Sequence, residues 1–409
     1  MISIPGYQVK ETIGESETSL ILRARRGEDD LPVVLKAMRN AYPSIAEMTR
    51  YKQECNILST LNQSGVPGVI RLYGDLTLKN RQVLVLEDFA GQSLDRRKGS
   101  GGYDDPGVFL PLAVAVTEHL AAIHGAGVIH KDINPSHILH DPTSGQLKIT
   151  GFAISTLKSI ETVASENPHC LEGDLAYISP EQTGRMNQGL DCRTDFYSLG
   201  VVFYELLTGK LPFDRKDPME LLHCHLAVQP FSPHDLNPAI PAPLSDMVMK
   251  LMSKDVTQRY QSATGLALDL RACARDLQET GKISVIALGS RDISDRFRIS
   301  SRIYGRSKEL SRLYECLHRA ATGQPQVVMA AGPAGIGKTS LVRELIPYAG
   351  NINAYFISGK FDQYQKARPY DAVVQSFQGL FRQILAESRD ELEKWKEKLT
   401  AGLGPNAGL

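Results

Sequence analysis

The run from Phe196 to Leu207 is apolar nearly all round its helical circumference, which only a helix enclosed by other elements can sustain. Gly209 stands where a left-handed residue would cap that helix. A chain with such a run must build a thick helical layer about it, and residues from about 107 to 275 supply the pattern. Upstream, from residue 7 to about 90, the pattern changes. Val33-Val34-Leu35 and Val83-Leu84-Val85-Leu86 are continuous apolar runs of buried-strand length. Between them Met48, Tyr51, Cys55 and Leu58 recur at spacings of three and four, the stripe of an amphipathic helix. The chain is therefore expected to form a small strand-rich lobe followed by a large helical one, an α+β body.

With 409 residues, the chain has room for two or three domains. Its 46 basic and 46 acidic side chains cancel, so no bulk charge draws it to nucleic acid or an anionic membrane. No apolar run approaches the roughly 20 residues of a membrane span, and Met1-Ile2-Ser3-Ile4-Pro5 is no signal peptide, so a cytoplasmic protein is expected. Six cysteines without C-x-x-C spacing form no disulfide framework. His223-Cys224-His225 and His169-Cys170 read as packing, because adjacent helical residues point in different directions and cannot share a metal.

Residues 276–303 lose periodicity and read as a linker, and 304–409 open a second, α/β unit at Tyr304-Gly305-Arg306. Its expected order is a helix over 307–322, a strand over 326–331, a glycine-rich loop, a helix from Ser340 and a strand over 355–358. The loop, Gly332 to Thr339, fits G-x-x-x-x-G-K-S/T between strand and helix. Gly332, Gly335 and Gly337 let backbone N–H groups cradle phosphates, Lys338 reaches the β- and γ-phosphates, and Thr339 is the Mg²⁺ ligand. No apolar strand ending in paired acids follows, so nucleotide binding is expected here and hydrolysis is not. The last residues read as a cut inside a domain, so the unit is expected to be incomplete.

Six short segments of the first body follow one another in a telling order. Gly14, Ser16 and Ser19 lie on the glycine-rich template, with two glycines replaced, ahead of a strand ending in Lys36. Lys36 needs a partner if buried, and Glu54 beside the helical stripe is the expected one. Leu86 to Gly91 reads as a hinge with Leu86 as gatekeeper. His130-Lys131-Asp132-Ile133-Asn134-Pro135-Ser136-His137 has the catalytic-loop spacing, and Thr150-Gly151-Phe152-Ala153 stands where D-F-G belongs. Ile178-Ser179-Pro180-Glu181 matches A-P-E. The segment Leu171 to Asn187 is similar to the kinase domain of large bacterial fusions that add a P-loop ATPase of the AAA-like class, a GAF domain and often a sensor histidine kinase.

What the resemblance implies is specific. Asp132, Lys36 and Glu54 would be catalytic. Gly14, Ile21, Val34, Lys36, Glu87, Phe89 and Leu139 would hold ATP, with adenine on the backbone of Glu87 and Phe89. Leu58, Leu72, His130 and Phe152 would stack as one spine, and Ile21, Val34 and Leu139 as another. Glu181 would pair with Arg259, and Asp195 would brace the catalytic loop. Members usually carry asparagine at 137, aspartate at 151 and threonine at 174; this chain has His137, Gly151 and Asp174.

Those departures strike the metal. Gly151 offers no oxygen, and imidazole suits magnesium poorly. At about 3 kcal/mol per lost ligand, the pair costs roughly 6 kcal/mol, on the order of 10⁴-fold in rate. Asp174 is the candidate for compensation. The expected function is thus an ATP-binding signalling module with weak or lost phosphotransfer, Mg²⁺ being doubtful at this site, which engages a protein substrate or regulatory partner and further signalling domains of the same chain. The alternatives are an active serine/threonine kinase, for which Ser155, Thr156, Ser159 and Thr162 would be self-phosphorylation sites, and a nucleotide-free scaffold.

Overall fold

Alternating burial shapes the first lobe. A computed structural model describes residues 4–16, 18–40, 42–78, 81–97, 102–157, 171–183, 190–292, 305–333, 335–351, 354–359, 370–384 and 389–403. Strands β1 (Tyr7–Glu15), β2 (Ser19–Arg26), β3 (Pro32–Met38), β4 (Leu72–Leu78) and β5 (Arg81–Glu87) form an antiparallel sheet in the order β1-β2-β3-β5-β4. Val33, Leu35 and Ala37 of β3 are buried with Leu22, Ala24, Val83 and Val85 in a small core. Val34 and Lys36 alternate with them and so take the opposite face. The apolar run in β3 is thus half of an alternation; β5 alone is buried at four successive positions, Val83 to Leu86.

Helix α1 (Ile45–Gln63) begins with a capping box: the Ser44 hydroxyl accepts from Glu47 N–H at 3.2 Å, and the Glu47 carboxylate accepts from Ser44 N–H at 2.7 Å. Of the expected stripe, Tyr51 and Leu58 are buried, while Met48 and Cys55 pack half-buried on the same core. Glu54 is buried among them.

The second lobe is built round the expected central helix. After β6 (Gln92–Ser93) come α2 (Pro106–Gly125), β7 (Val128–Ile129), β8 (Ile138–His140), β9 (Leu147–Ile149), β10 (Thr156–Leu157) and α3 (Arg193–Thr208). Every residue of α3 from Thr194 to Glu205 is buried. A Cβ at Gly200 would fall 2.7 Å from the Leu251 Cβ, so α3 must present bare backbone to its neighbour. Gly209 ends the helix at φ +71°, its N–H reaching the Glu205 carbonyl. Helices α4 (Pro218–Ala227), α5 (Pro233–Leu236), α6 (Ala242–Leu251) and α7 (Ala263–Thr280) complete the lobe. By length and composition, α2 could cross a membrane, contrary to the sequence expectation that no run comes near. Here Leu112, Val116, Leu120 and Ile123 spend that apolarity in the core.

The chain forms two compact units, Met1–Ser294 and Asp295–Leu409. Residues read as linker from 276 belong in part to the first. They begin inside α7, and Ile283, Ile286 and Leu288 pack against its core. The Asp292 carboxylate accepts from the Ser262 hydroxyl at 2.8 Å and from the N–H groups of Gln261 and Ser262. A short apolar patch with no periodicity gave no sign of this.

The second unit comprises α8 (Ser307–Ala321), α9 (Lys338–Arg343), α10 (Leu345–Asn351), α11 (Asp371–Ile384) and α12 (Arg389–Leu403). The expected helix over 307–322 is present. Residues 326–331 and 355–358, expected as strands, run without ladder partners, and Val327 and Met329 are almost wholly exposed.

Several core rings are held uncharged. Burial pushes His225 down to about 3, with Lys254 nearby adding to the effect, and burial also lowers His119 and His130. Unfolded, these rings take up protons near 6.5, so stability is complete above that value and is lost as pH falls below it. The loss is about 1.4 kcal/mol per fully shifted ring for each pH unit. The unfolding midpoint should fall by several degrees between pH 7.5 and 5.5. A midpoint flat across that range would contradict the neutral burial of these rings.

Candidate functional site

Lys36 and Glu54 meet where β3 faces α1. The ammonium lies 2.8 Å from each oxygen of the carboxylate, and Glu54 is 1% exposed. Lys36 also sits 5.8 Å above the Tyr51 ring. Three further contacts hold α1 in place: Arg50 pairs with Glu172 at 2.8 Å, Gln53 donates to the Ser155 carbonyl, and Tyr51 donates to the Ser19 hydroxyl at 3.1 Å. The last was not foreseen. It ties one of the two serines in the glycine-rich template to the helix, and Ser16 bonds Ser19 through both backbone and side chain. Gly14 precedes this turn, opposite Ile21.

Of the expected stacks, one ring contact is in place. Leu58, His130 and Phe152 are buried and Leu72 half-buried, with the rings of His130 and Phe152 4.7 Å apart, edge to face. Ile21, Val34 and Leu139 are half-buried. At the hinge, Glu87 spends its N–H on the Arg71 carbonyl and its carboxylate on Lys148, at 2.7 Å. Leu86 is buried and Phe89 half-buried.

Asp195 organises the catalytic loop. Its fully buried carboxylate accepts from the N–H groups of His130 (2.9 Å) and Lys131 (2.7 Å) and from His124 Nε2 (2.8 Å). Burial alone would push this carboxyl up; the His124 hydrogen bond and charge, with the His130 N–H, more than offset that and hold it below the usual range. Lys131 is left-handed at φ +67°, a strained conformation for its type, and Gln182 fixes its carbonyl at 2.7 Å. His130 donates from Nε2 to the Thr150 carbonyl and accepts at Nδ1 from Asp132 N–H. Behind the loop, Glu181 and Arg259 form a buried two-point pair at 2.7 and 3.0 Å, with the Thr194 hydroxyl on the same carboxylate.

The departures from the kinase pattern meet around Asp132. Its Oδ1 accepts from Asn134 Nδ2 at 3.1 Å and from Asp174 N–H at 3.2 Å. The Asp174 carboxylate turns away, to the N–H of Ala176 at 3.0 Å. His137 Nδ1 lies 2.8 Å from the Asp132 carbonyl, an acceptor that calls for a proton on that nitrogen. Gly151 sits at φ +87°, directly beneath the imidazole. Of positions 132, 137 and 151, only Asp132 offers a carboxylate. Among the described residues, no group of three or more His, Cys, Asp or Glu is placed to hold a metal. A hard cation preferring oxygen does not fit these residues.

Of the candidate self-phosphorylation sites, Ser155 is fully buried, its hydroxyl on the His130 carbonyl, and Thr156 pairs with Ile129. Ser159 and Thr162 lie outside the described residues, as do Tyr304, His169 and Cys170. His225 meets Tyr197 in the core, and Cys224 is buried beside them. In the second unit, Gly335 and Gly337 are left-handed, at φ +79° and +91°. Lys338 folds over the loop onto the carbonyls of Gly332 and Pro333, at 2.8 Å each. Thr339 is exposed in the first turn of α9.

Comparison with known proteins follows the same division. Residues 7–268 match the family model described as protein kinase domain, and residues 302–409 the one described as AAA ATPase domain. The chain is 32% identical over 391 residues to hybrid signal transduction histidine kinase G of Dictyostelium discoideum, an alignment covering 75% of this chain and 11% of that protein. It is 30% identical over 274 residues to a probable serine/threonine-protein kinase of Clostridium perfringens, covering 66% of this chain and 38% of the other. Against serine/threonine-protein kinase PrkC of Bacillus subtilis the identity is 28% over 267 residues, covering 65% and 40%. The chain thus spans about a tenth of the first relative and about two fifths of the other two.

Burial ranks the ion pairs of the first unit. Glu181→Ala strands the Arg259 guanidinium and should cost about 3–5 kcal/mol; Asp195→Ala leaves two buried N–H groups unpaired and belongs in the same range. Arg50→Ala, which breaks a half-exposed pair, should cost less than about 1 kcal/mol. Denaturant titrations of the three variants check this, and equal losses would refute the ranking.

Proposed function

The chain belongs to the protein kinase family, joined to an AAA ATPase domain, and from that premise we propose an ATP-binding signalling module whose phosphotransfer is weak or lost. One observation carries the reading: the His137 ring lies over a bare Gly151, where a magnesium-holding carboxylate would otherwise stand. Adenine would bind the hinge backbone at Glu87 and Phe89 between Ile21, Val34 and Leu139. Lys36, oriented by Glu54, would meet the α- and β-phosphates. Asp132 would face a substrate hydroxyl with His137 Nδ1 already 3.4 Å from its Oδ2, and without the charge neutralisation that phosphoryl transfer depends on. The Asp174 carboxylate, engaged by Ala176, gives no support to the compensation considered above.

The second unit would hold a further nucleotide at Gly332, Gly335, Gly337 and Lys338. Its Thr339 hydroxyl would supply an oxygen ligand for Mg²⁺, which would neutralise phosphate charge there. Similarity to a hybrid signal transduction histidine kinase supports a place within a larger signalling chain whose other domains receive the output.

An active kinase is the second reading, favoured by the Lys36–Glu54 pair and the His130–Phe152 contact. ATP binding and phosphotransfer to a generic protein acceptor, measured on the full chain beside its Lys36→Ala and Asp132→Asn variants, decide between them. We expect a Lys36-dependent binding component and turnover at least about 10³-fold below the roughly 1–100 s⁻¹ of working kinases. Turnover in that working range, abolished by Asp132→Asn, would establish the second reading. Loss of any Lys36-dependent binding would leave the scaffold.

A further inference from the structure

We propose that His137 is a plug in the metal seat, so that residues 137 and 151 act as one unit and the cleft takes its nucleotide without a divalent cation. The inference rests on the nucleotide-binding reading above and deepens it.

The steric observation comes first. A Cβ built on Gly151 would lie 2.5 Å from His137 Cδ2 and Cγ and 2.6 Å from Nδ1. Cβ atoms essentially never make contacts that short, so a side chain at 151 requires the ring to move. Because Cγ is among the clashing atoms, flipping the ring about its own axis does not clear the space. The whole imidazole would have to swing out by rotation about Cα–Cβ.

Such a swing is opposed. The ring would give up the 2.8 Å bond between Nδ1 and the Asp132 carbonyl. Its backbone is tied on both sides, with His137 N–H on the Asn134 carbonyl at 3.1 Å and the His137 carbonyl accepting from Thr150 N–H at 2.9 Å. That second bond joins residue 137 to the neighbour of Gly151, so the two positions share one rigid junction. Gly151 at φ +87° also resists replacement on backbone grounds.

The consequence is epistasis. Gly151→Asp alone brings a carboxylate into a filled space; His137→Asn alone leaves a smaller side chain, free to turn aside because it has no ring, but supplies no carboxylate at 151. Only the two together rebuild an oxygen-lined seat facing Asp132. In the parent chain, Lys36 is the residue placed to meet phosphate charge, and Mg²⁺ on the phosphates would gain no oxygen ligand from position 137 or 151.

Two measurements on the full chain test this. The first needs no nucleotide. Gly151→Ala is made in the parent and in His137→Ala, and the melting transition lowered by Glu181→Ala is followed by calorimetry. The alanine should depress the midpoint at least about 3 °C more when His137 is present; equal depression in both backgrounds would overturn the plug. The second measures ATP affinity in EDTA and in Mg²⁺ for the parent, His137→Asn, Gly151→Asp and the double variant. Each is read as the difference from its Lys36→Ala counterpart, which cancels the second unit's site. Mg²⁺ should tighten binding by about tenfold or more only in the double variant, a coupling that neither single change reproduces. Equal tightening in either single variant would overturn the proposal, and so would tightening in the parent. If no Lys36-dependent binding appears in any of the four, the nucleotide reading and the metal-free clause both fall, and the thermal cycle alone judges the plug.

Discussion

A single buried carboxylate holds the catalytic loop to the helical lobe. Asp195 accepts two consecutive backbone N–H groups and one imidazole, and the bond to Lys131 fixes a residue strained at φ +67°. That strained residue aims Asp132 out of the loop while His130 turns inward against Phe152. The direction of the loop then decides what lies next to Asp132, including His137 five residues on and Gly151 beneath it. Strain of this kind persists only where neighbours over-determine it. Here they do, because Gln182 grips the Lys131 carbonyl from the other side and Ser155 binds the carbonyl of His130.

The molecule therefore keeps an expensive positioning frame around a cleft with no carboxylate at position 137 or 151. The frame reaches from α3 through the loop to α1, where Lys36 and Glu54 meet. Nothing in that chain of contacts passes through position 137 or 151. An active-like arrangement of these contacts can therefore stand beside a position 151 that carries no carboxylate.

Much of this was legible in the sequence for a physical reason. Lys36 and Glu54 could be paired because a buried charge must find a partner, while Asp132, Glu181, Asp195 and Arg259 were legible through the resemblance of their motifs to a known family. The central helix could be read because a run apolar on every side admits one environment. What spacing could not reveal were choices made by torsion angles. The ring of His137 over Gly151, the Asp174 carboxylate on Ala176 and the Ser19–Tyr51 bond each depend on a rotamer. The packing of Ile283, Ile286 and Leu288 escaped because three apolar residues in an irregular segment carry no period. Strands expected over 326–331 and 355–358 failed differently: strand-like sequence pairs only when a neighbour offers a ladder.

The Lys36–Glu54 pair bears on whether the cleft still has a ligand. Removing two charges from water costs several kcal/mol per ion, and a buried pair recovers that cost incompletely. Apolar residues of similar size at 36 and 54 would hold α1 against the sheet at least as well, and the Tyr51–Ser19, Gln53–Ser155 and Arg50–Glu172 contacts already do part of that work. The ion pair is thus a poor choice for stability alone and a good one for presenting a cation to phosphate. A pure scaffold has no use for that charge, whereas a cleft that takes a phosphate-bearing ligand does, and would depend on it more heavily if no metal shared the load.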